Sequence, residues 1–519
     1  MITRNRACLA VGLVAALVYA GVLKNGFAGD DGHIILGNAL VHQWSGVWRA
    51  FGASYWPPAF GGLLYRPLTL ATYAVDWQLG GGGPLWFHIV NVGWHVVASV
   101  LVVLLADAWG GSAVALLAGL LFAVHPVHVE AVANVVGRAE LMATTFTLAA
   151  VYTAVQLDRP WWSAALWGLG LLSKESAGVA PVLVGLAWWA GVGAPRQPSG
   201  PSGPSWPSWP SRGQMWLFAG AWGAAGAACL MSAYLVLAGA TGSASVAPVF
   251  VGHSAVAVRL TAVSEMADLV RLLLAPVTLR VDYSPAERTI VTSVFDGRLL
   301  AGLLLVVLWG ILAVTAWRRG RRVEMLGMLW VLAAYLPVSN LIVPIGLLMG
   351  ERTLYLASAG MVLALAGMAL RLPVRPSALA AAAACVVALG ALRTALRVPI
   401  WHDNLRVALS IVEDSPKSYQ GPMASAGIFL EARRPAQALE YADTAAAIFP
   451  LDPRPYLIGA HAALKLGRMS TADSLLALAD HRCLPCRGVY DAEAAVALAM
   501  GDTAIADSLR SHLRRRGAR

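Results

Sequence analysis

Groups able to move a proton or hold an anion gather at a few places in a chain that is otherwise apolar. The longest run is His125-Pro126-Val127-His128-Val129-Glu130, continuing through Asn134 and Arg138 to Glu140: six polar groups within sixteen residues, between two apolar segments. Asp30-Asp31, Arg66, Lys174-Glu175 and Glu351-Arg352 are the others. Ionisable side chains close to membrane depth are expensive to keep, so a group of them there is a functional-site hypothesis. Carboxylates beside cations at a lipid interface suit transfer of a group from a lipid phosphate. One carboxylate takes the acceptor's proton while Arg or Lys stabilises the departing phosphate, and glycosyl transfer is the natural reaction class. Each group also has a structural reading. The long run could end one helix at Pro126 and cap the next, Asp30 or Asp31 could cap a helix, Arg66 could anchor at headgroups, and Lys174 could pair with Glu175.

The surrounding chain must hold these groups at a membrane surface. Its 519 residues are 58% hydrophobic and 13% charged, with a mean hydropathy of +0.64, which marks an all-α polytopic membrane protein rather than a soluble globule. The net charge of +10 sits in short arginine clusters beside apolar spans, as orientation signals do, which argues against nucleic-acid binding. Eleven spans are expected near 7–23, 88–106, 108–124, 139–156, 215–238, 299–317, 323–338, 353–370 and 377–392, with two more from 161–191, split around Lys174. Arg4 and Arg6 put the N-terminus in the cytoplasm, and Arg318, Arg319, Arg321 and Arg322 fall on the same side. The Asp30 and His125–Arg138 segments then share the outer face. Residues 253–280 carry Arg259, Glu265, Asp268 and Arg271 and are expected at the outer interface, because crossing would cost on the order of 10 kcal/mol. Trp44, Val47, Trp48 and Phe51 have the spacing of an interfacial helix. Residues 193–214, with PSGPSGPSWPSWPS, read as a cytoplasmic disordered linker.

A membrane domain over 1–398 thus gives way to an Ala-rich helical region over 399–519. There Ala472-Asp473-Ser474-Leu475 recurs as Ala506-Asp507-Ser508-Leu509, an offset of 34 residues. A 34-residue period with a small residue in the second helix is the tetratricopeptide (TPR) signature, predicting an extracytoplasmic α-solenoid of about three units. Of five cysteines only Cys483 and Cys486 form a CxxC, too little for a disulfide framework or a four-ligand zinc site. His125 and His128 share a helix face with Glu130 off it, a weak metal-ligand pattern that leaves a divalent metal open. A structural or substrate-orienting role suits His125, His128, Asn134, Glu140, Glu175 and Glu351 better.

These residues resemble the motifs of the transmembrane and tetratricopeptide-repeat-containing (TMTC) family. They stand here as Asp30-Asp31, Tyr65 to Thr69, Phe87-His88 with Asn91, His125 to Glu140, Leu172 to Glu175, and Glu351 to Gly360. The resemblance implies a GT-C glycosyltransferase fold and protein O-mannosylation from a polyprenyl-phosphate mannose donor. In that light Asp30 or Asp31 is the base, with Glu130 as a further catalytic carboxylate. Arg66, Arg138, Lys174 and Arg352 become candidates for the donor phosphate, and a protein acceptor would dock on the repeats. The Gly-, Ala- and Arg-rich composition resembles that of a high-GC bacterium, whose carrier would be undecaprenyl or decaprenyl phosphate and whose outer face is periplasmic. The competing class is a non-enzymatic scaffold or a transporter of lipid-linked sugar. A transporter should place ionisable groups near mid-bilayer in matching halves, and no internal repeat of the membrane part is visible.

Overall fold

The computed structural model describes residues 3–57, 63–192, 210–238, 246–283, 286–482 and 487–517, and none of these is in a strand. The CxxC at Cys483 and Cys486 and most of the Pro/Ser/Gly stretch lie outside the described residues. The chain opens with α1 (Arg4–Val18), whose small residues Ala7, Val11 and Ala15 are fully buried while Leu9, Leu13 and Leu17 are 54–71% exposed. Small inside and large outside inverts the pattern of a water-soluble helix and suits one that packs closely inward and meets lipid outward. Next come α2 (Pro67–Gly80), α3 (Pro84–Gly110), α4 (Ser112–Ala123), α5 (Arg138–Val155), α6 (Pro160–Ser173) and α7 (Ala180–Ala190). Proline at the first turn starts α2, α3 and α6, where its missing N–H costs no helical bond.

The second half of the membrane part comprises α8 (Arg212–Leu237), α9 (Ala255–Ser264), α10 (Met266–Leu274), α11 (Gly297–Arg318), α12 (Arg322–Tyr335), α13 (Tyr355–Ala369) and α14 (Pro376–Arg397). All eleven segments expected to span are helical. Among the described residues six are long and apolar enough to cross by themselves, within Arg4–Lys24, Pro84–Gly110, Arg212–Leu237, Gly297–Arg318, Glu351–Ala369 and Pro376–His402. A seventh would be α4 taken with Pro126–Ala133, bent by 48° at the intervening break. α9 and α10, of ten and nine residues, are each too short to cross, in keeping with the charges that segment carries. α12 and α13 touch through glycines, since a Cβ on Gly360 would sit 2.6 Å from the Gly327 carbonyl oxygen.

Two expectations change in detail. The aromatic segment forms only a four-residue helix, Gly46–Arg49, followed by one tighter turn, yet Trp44, Trp48 and Phe51 all project outward. The His125–Glu140 run is no solvated loop: His125, His128, Glu130, Asn134, Arg138 and Glu140 are all less than 9% exposed. It folds as a tight turn (Pro126–His128), a short helix (Val129–Ala133), a second tight turn (Val135–Gly137) and the start of α5. Its backbone is thereby satisfied internally, as burial demands.

Beyond the connecting turn Val398–His402 lies α15 (Asn404–Asp414), and then three helix pairs: α16 (Gln420–Glu431) with α17 (Pro435–Ile448), α18 (Arg454–Lys465) with α19 (Met469–Arg482), and α20 (Arg487–Ala499) with α21 (Thr503–Gly517). α16 and α18 start 34 residues apart, as do α17, α19 and α21 in turn. Small residues at the matching positions Ala438, Ala472 and Ala506 are fully buried, letting successive helices approach.

Candidate active site

Asp30 and Asp31 are adjacent in sequence and opposite in environment. Asp31 is 1% exposed and accepts from three backbone amides: Ala28 (3.0 Å) and Val135 (3.4 Å) on Oδ2, Val136 (2.9 Å) on Oδ1. It staples the segment after α1 to the turn before α5. Burial pushes its carboxyl up to about 7, against the pull of those amides. The Asp30 side chain is 42% exposed, with Oδ2 3.9 Å from Nη1 of Arg352. A general base must be reachable by its proton donor, and of the two only Asp30 is.

Arg352 is held by Glu130. Its backbone N–H donates to Glu130 Oε2 (2.8 Å), and its Nε lies 3.5 Å from Oε1. Glu130 is buried on the short helix after the α4 break, so the break aims a carboxylate at the turn before α13. On the other flank, Arg66 precedes α2 and donates Nε (3.0 Å) and Nη2 (2.5 Å) to the two carboxylate oxygens of Glu175, a bidentate pair. Its guanidinium also lies 4.9 Å from the ring centroid of Tyr55. Arg66 and Arg352 are close enough to repel each other, and Tyr55 feels both along with Asp30. The structure therefore brings Asp30, Glu130, Arg66, Glu175 and Arg352 into one cluster, with the buried Tyr55 packed against Arg66. Both cations already face carboxylates, so a phosphate between them would replace the looser contacts, above all the 3.9 Å approach of Asp30 to Arg352.

The remaining candidates are engaged elsewhere. Arg138 is fully buried: it forms an ion pair with Asp76, donates Nε to Asn91 Oδ1 (2.8 Å), Nη1 to Thr72 Oγ1 (3.3 Å) and Nη2 to the Phe87 carbonyl (2.9 Å), and lies over the Tyr73 ring. With each of its three nitrogens donating inside the protein, it ties α2, α3 and α5 together. Lys174 forms an ion pair with Glu140, whose second oxygen accepts from Ser176 (3.2 Å). His125 Nε2 meets the Leu273 carbonyl (3.1 Å), so Nδ1 is free to accept from the Val127 amide (3.3 Å) and cap the turn. His128 Nε2 meets Ser358 Oγ (2.7 Å), and the Asn134 carbonyl accepts from Asn91 (3.2 Å). Glu351 Oε1 accepts from the Arg280 amide (2.5 Å) and the Tyr283 hydroxyl (2.9 Å). Among the described residues no group of three or more His, Cys, Asp or Glu could hold a metal ion.

Part of the chain aligns with curated proteins. It is 37% identical over 193 residues to "Protein O-mannosyl-transferase Tmtc2" of Drosophila melanogaster, covering 33% of this chain and 20% of that protein. It is 35% identical over 156 residues to "Protein O-mannosyl-transferase TMTC3" of Homo sapiens (29% and 17%). The alignment with human "Protein O-mannosyl-transferase TMTC1" is longer, 28% identical over 422 residues (69% and 46%). Over these stretches the chain is similar to proteins named as TMTC O-mannosyl-transferases. It spans from about a sixth to under half the length of these relatives. No family model and no solved structure matches it.

Sequence reading missed two members of these clusters. Asp76, the counter-ion of Arg138, was detectable as a lone carboxylate inside the apolar helix α2. Tyr55, packed against Arg66, carries no such signal, because an aromatic residue between helices has many uses.

Proposed function

We propose that this chain is a membrane glycosyltransferase that moves a sugar, mannose by analogy with its named relatives, from a polyprenyl-phosphate carrier to a hydroxyl of an extracytoplasmic protein. The observation that carries the reading is the Asp30–Arg352–Glu130 arrangement: an accessible carboxylate 3.9 Å from a guanidinium that a second, buried carboxylate holds in place. Asp30 takes the proton from the acceptor hydroxyl as its oxygen bonds to the sugar's anomeric carbon. The bond from that carbon to the phosphate oxygen breaks, and its electron pair leaves on the lipid phosphate. Arg352 and Arg66 stabilise the charge that develops there, and Glu175 and Tyr55 keep Arg66 from swinging away. Asp30 then returns the proton to water.

In this reading the eleven helices cross the membrane in a GT-C arrangement, the N-terminus is cytoplasmic, and the helix pairs form a TPR array outside the bacterial inner membrane, where an acceptor docks. Reporter fusions at residues 30 and 130 should report the same, extracytoplasmic side, and opposite sides would refute it. The activity test is incubation of the purified chain, in liposomes, with labelled polyprenyl-phosphate mannose and periplasmic extract. Label should enter protein with the wild type and not with Asp30→Asn. Equal incorporation by the two proteins would remove Asp30 as the base.

A further inference from the structure

The stretch that joins the last apolar helix to the helix pairs grips both loops of the candidate site. On one side it holds the segment leading into Asp30. The Asn25 side chain donates to the Val398 carbonyl (3.1 Å), the Gly26 amide donates to the His402 carbonyl (2.9 Å), and the Gly29 amide donates to Asn404 Oδ1 (2.7 Å). On the other side it holds the support of Arg352. Ser415 Oγ donates to the Asp282 carbonyl (2.7 Å), Ser418 Oγ donates to Asp282 Oδ2 (2.6 Å), and the Ala286 amide donates to the Lys417 carbonyl (3.0 Å). Next to Asp282, Tyr283 donates to Glu351, the residue before Arg352.

The gripped segment needs holding. Gly26, Gly29 and Gly32 stand within seven residues, and Gly29 has φ +61°, so the unrestrained chain would sample many conformations around Asp30. Asp31 fixes it from below through Ala28, Val135 and Val136. Asn404 fixes it from above, one residue from Asp30 and from the first turn of the helix that begins the extramembrane part.

We propose that residues 398–418 are a positioning device that sets the separation of Asp30 and Arg352, with Asn404 and Ser418 supplying a side-chain contact on either side, so that a load on the helix pairs reaches the site. The proposal rests on the roles given above to Asp30 and Arg352, but the contacts can be tested without them. In the full-length protein in detergent, hydrogen exchange of residues 26–31 should speed up about fivefold in Asn404→Ala, the expected effect of one lost hydrogen bond. Asn404→Asp, which keeps an acceptor at that place, should restore protection. Ser418→Ala should do the same to residues 279–283 and 351–354, and serves if Asn404→Ala folds poorly. In the transfer assay kcat should fall about tenfold for Asn404→Ala while KM for polyprenyl-phosphate mannose holds, since alignment and not donor binding is lost. Unchanged exchange at these segments in both variants overturns the proposal. Faster exchange in the variants, with no transfer by the wild type, would instead leave the device standing and refute the transferase reading.

Discussion

Two charged clusters lie within a few turns of each other and are built from the same residue types. In the closed one, Arg138 meets Asp76 with neither side chain more than 5% exposed, and Lys174 meets Glu140. In the open one, Arg352 lies beside Asp30 and Glu130, and Arg66 beside Glu175, with side chains up to 60% exposed. The difference is spare capacity. A guanidinium whose nitrogens all donate inside the protein has nothing to offer a ligand and serves as a rivet. One that holds a partner loosely at 3.9 Å can exchange it for a phosphate. Chemistry should thus respond to the open cluster and stability to the closed one, and four variants probe that division.

The largest effect is expected for Asp30→Asn, a loss of about 10²- to 10⁴-fold in kcat with an unchanged melting temperature, measured by single-turnover sugar transfer beside a thermal melt. Arg138→Met should act the other way. It strands the buried Asp76 and should cost about 3–5 kcal/mol of stability, read from denaturant unfolding in detergent, while the molecules still folded keep their activity. Arg352→Gln should lower kcat about 10²-fold by removing one stabiliser of the leaving phosphate, a loss that a matching drop in folded fraction would explain away. The subtlest is a change of slope in Asp31→Asn. Burial raises the Asp31 carboxyl from 3.8 to about 7, so its contribution to stability is complete below pH 3.8 and is lost as pH rises through about 7. Wild-type melting temperature should decline across that window, and Asp31→Asn should flatten the decline. Parallel curves would contradict the assignment.

What the residue order revealed was what local patterning encodes. The recurrence of Ala-Asp-Ser-Leu at 34 residues located the helix pairs, because a repeated packing problem leaves a repeated small residue at Ala472 and Ala506. The apolar runs located the helices for the same reason. Partner choice was not legible. Lys174 and Glu175 invite a pairing with each other, yet a peptide step sends successive side chains apart: Lys174 turns to Glu140 in α5 and Glu175 to Arg66 before α2. Asp30 and Asp31 were equivalent as letters. What separates them is a turn more than a hundred residues downstream, whose Val135 and Val136 amides consume one carboxylate and leave the other in solvent. Burial of the His125–Glu140 run was hidden likewise, since polar groups that satisfy one another across helices look like a surface loop when read in line.

The most direct trial sets Asp30→Asn against Asp76→Asn in one sugar-transfer assay, normalised to folded protein. The account predicts that transfer collapses in Asp30→Asn at full stability, and persists per folded molecule in Asp76→Asn at reduced stability. Transfer that survives Asp30→Asn, or disappears in Asp76→Asn molecules that remain folded, would contradict it.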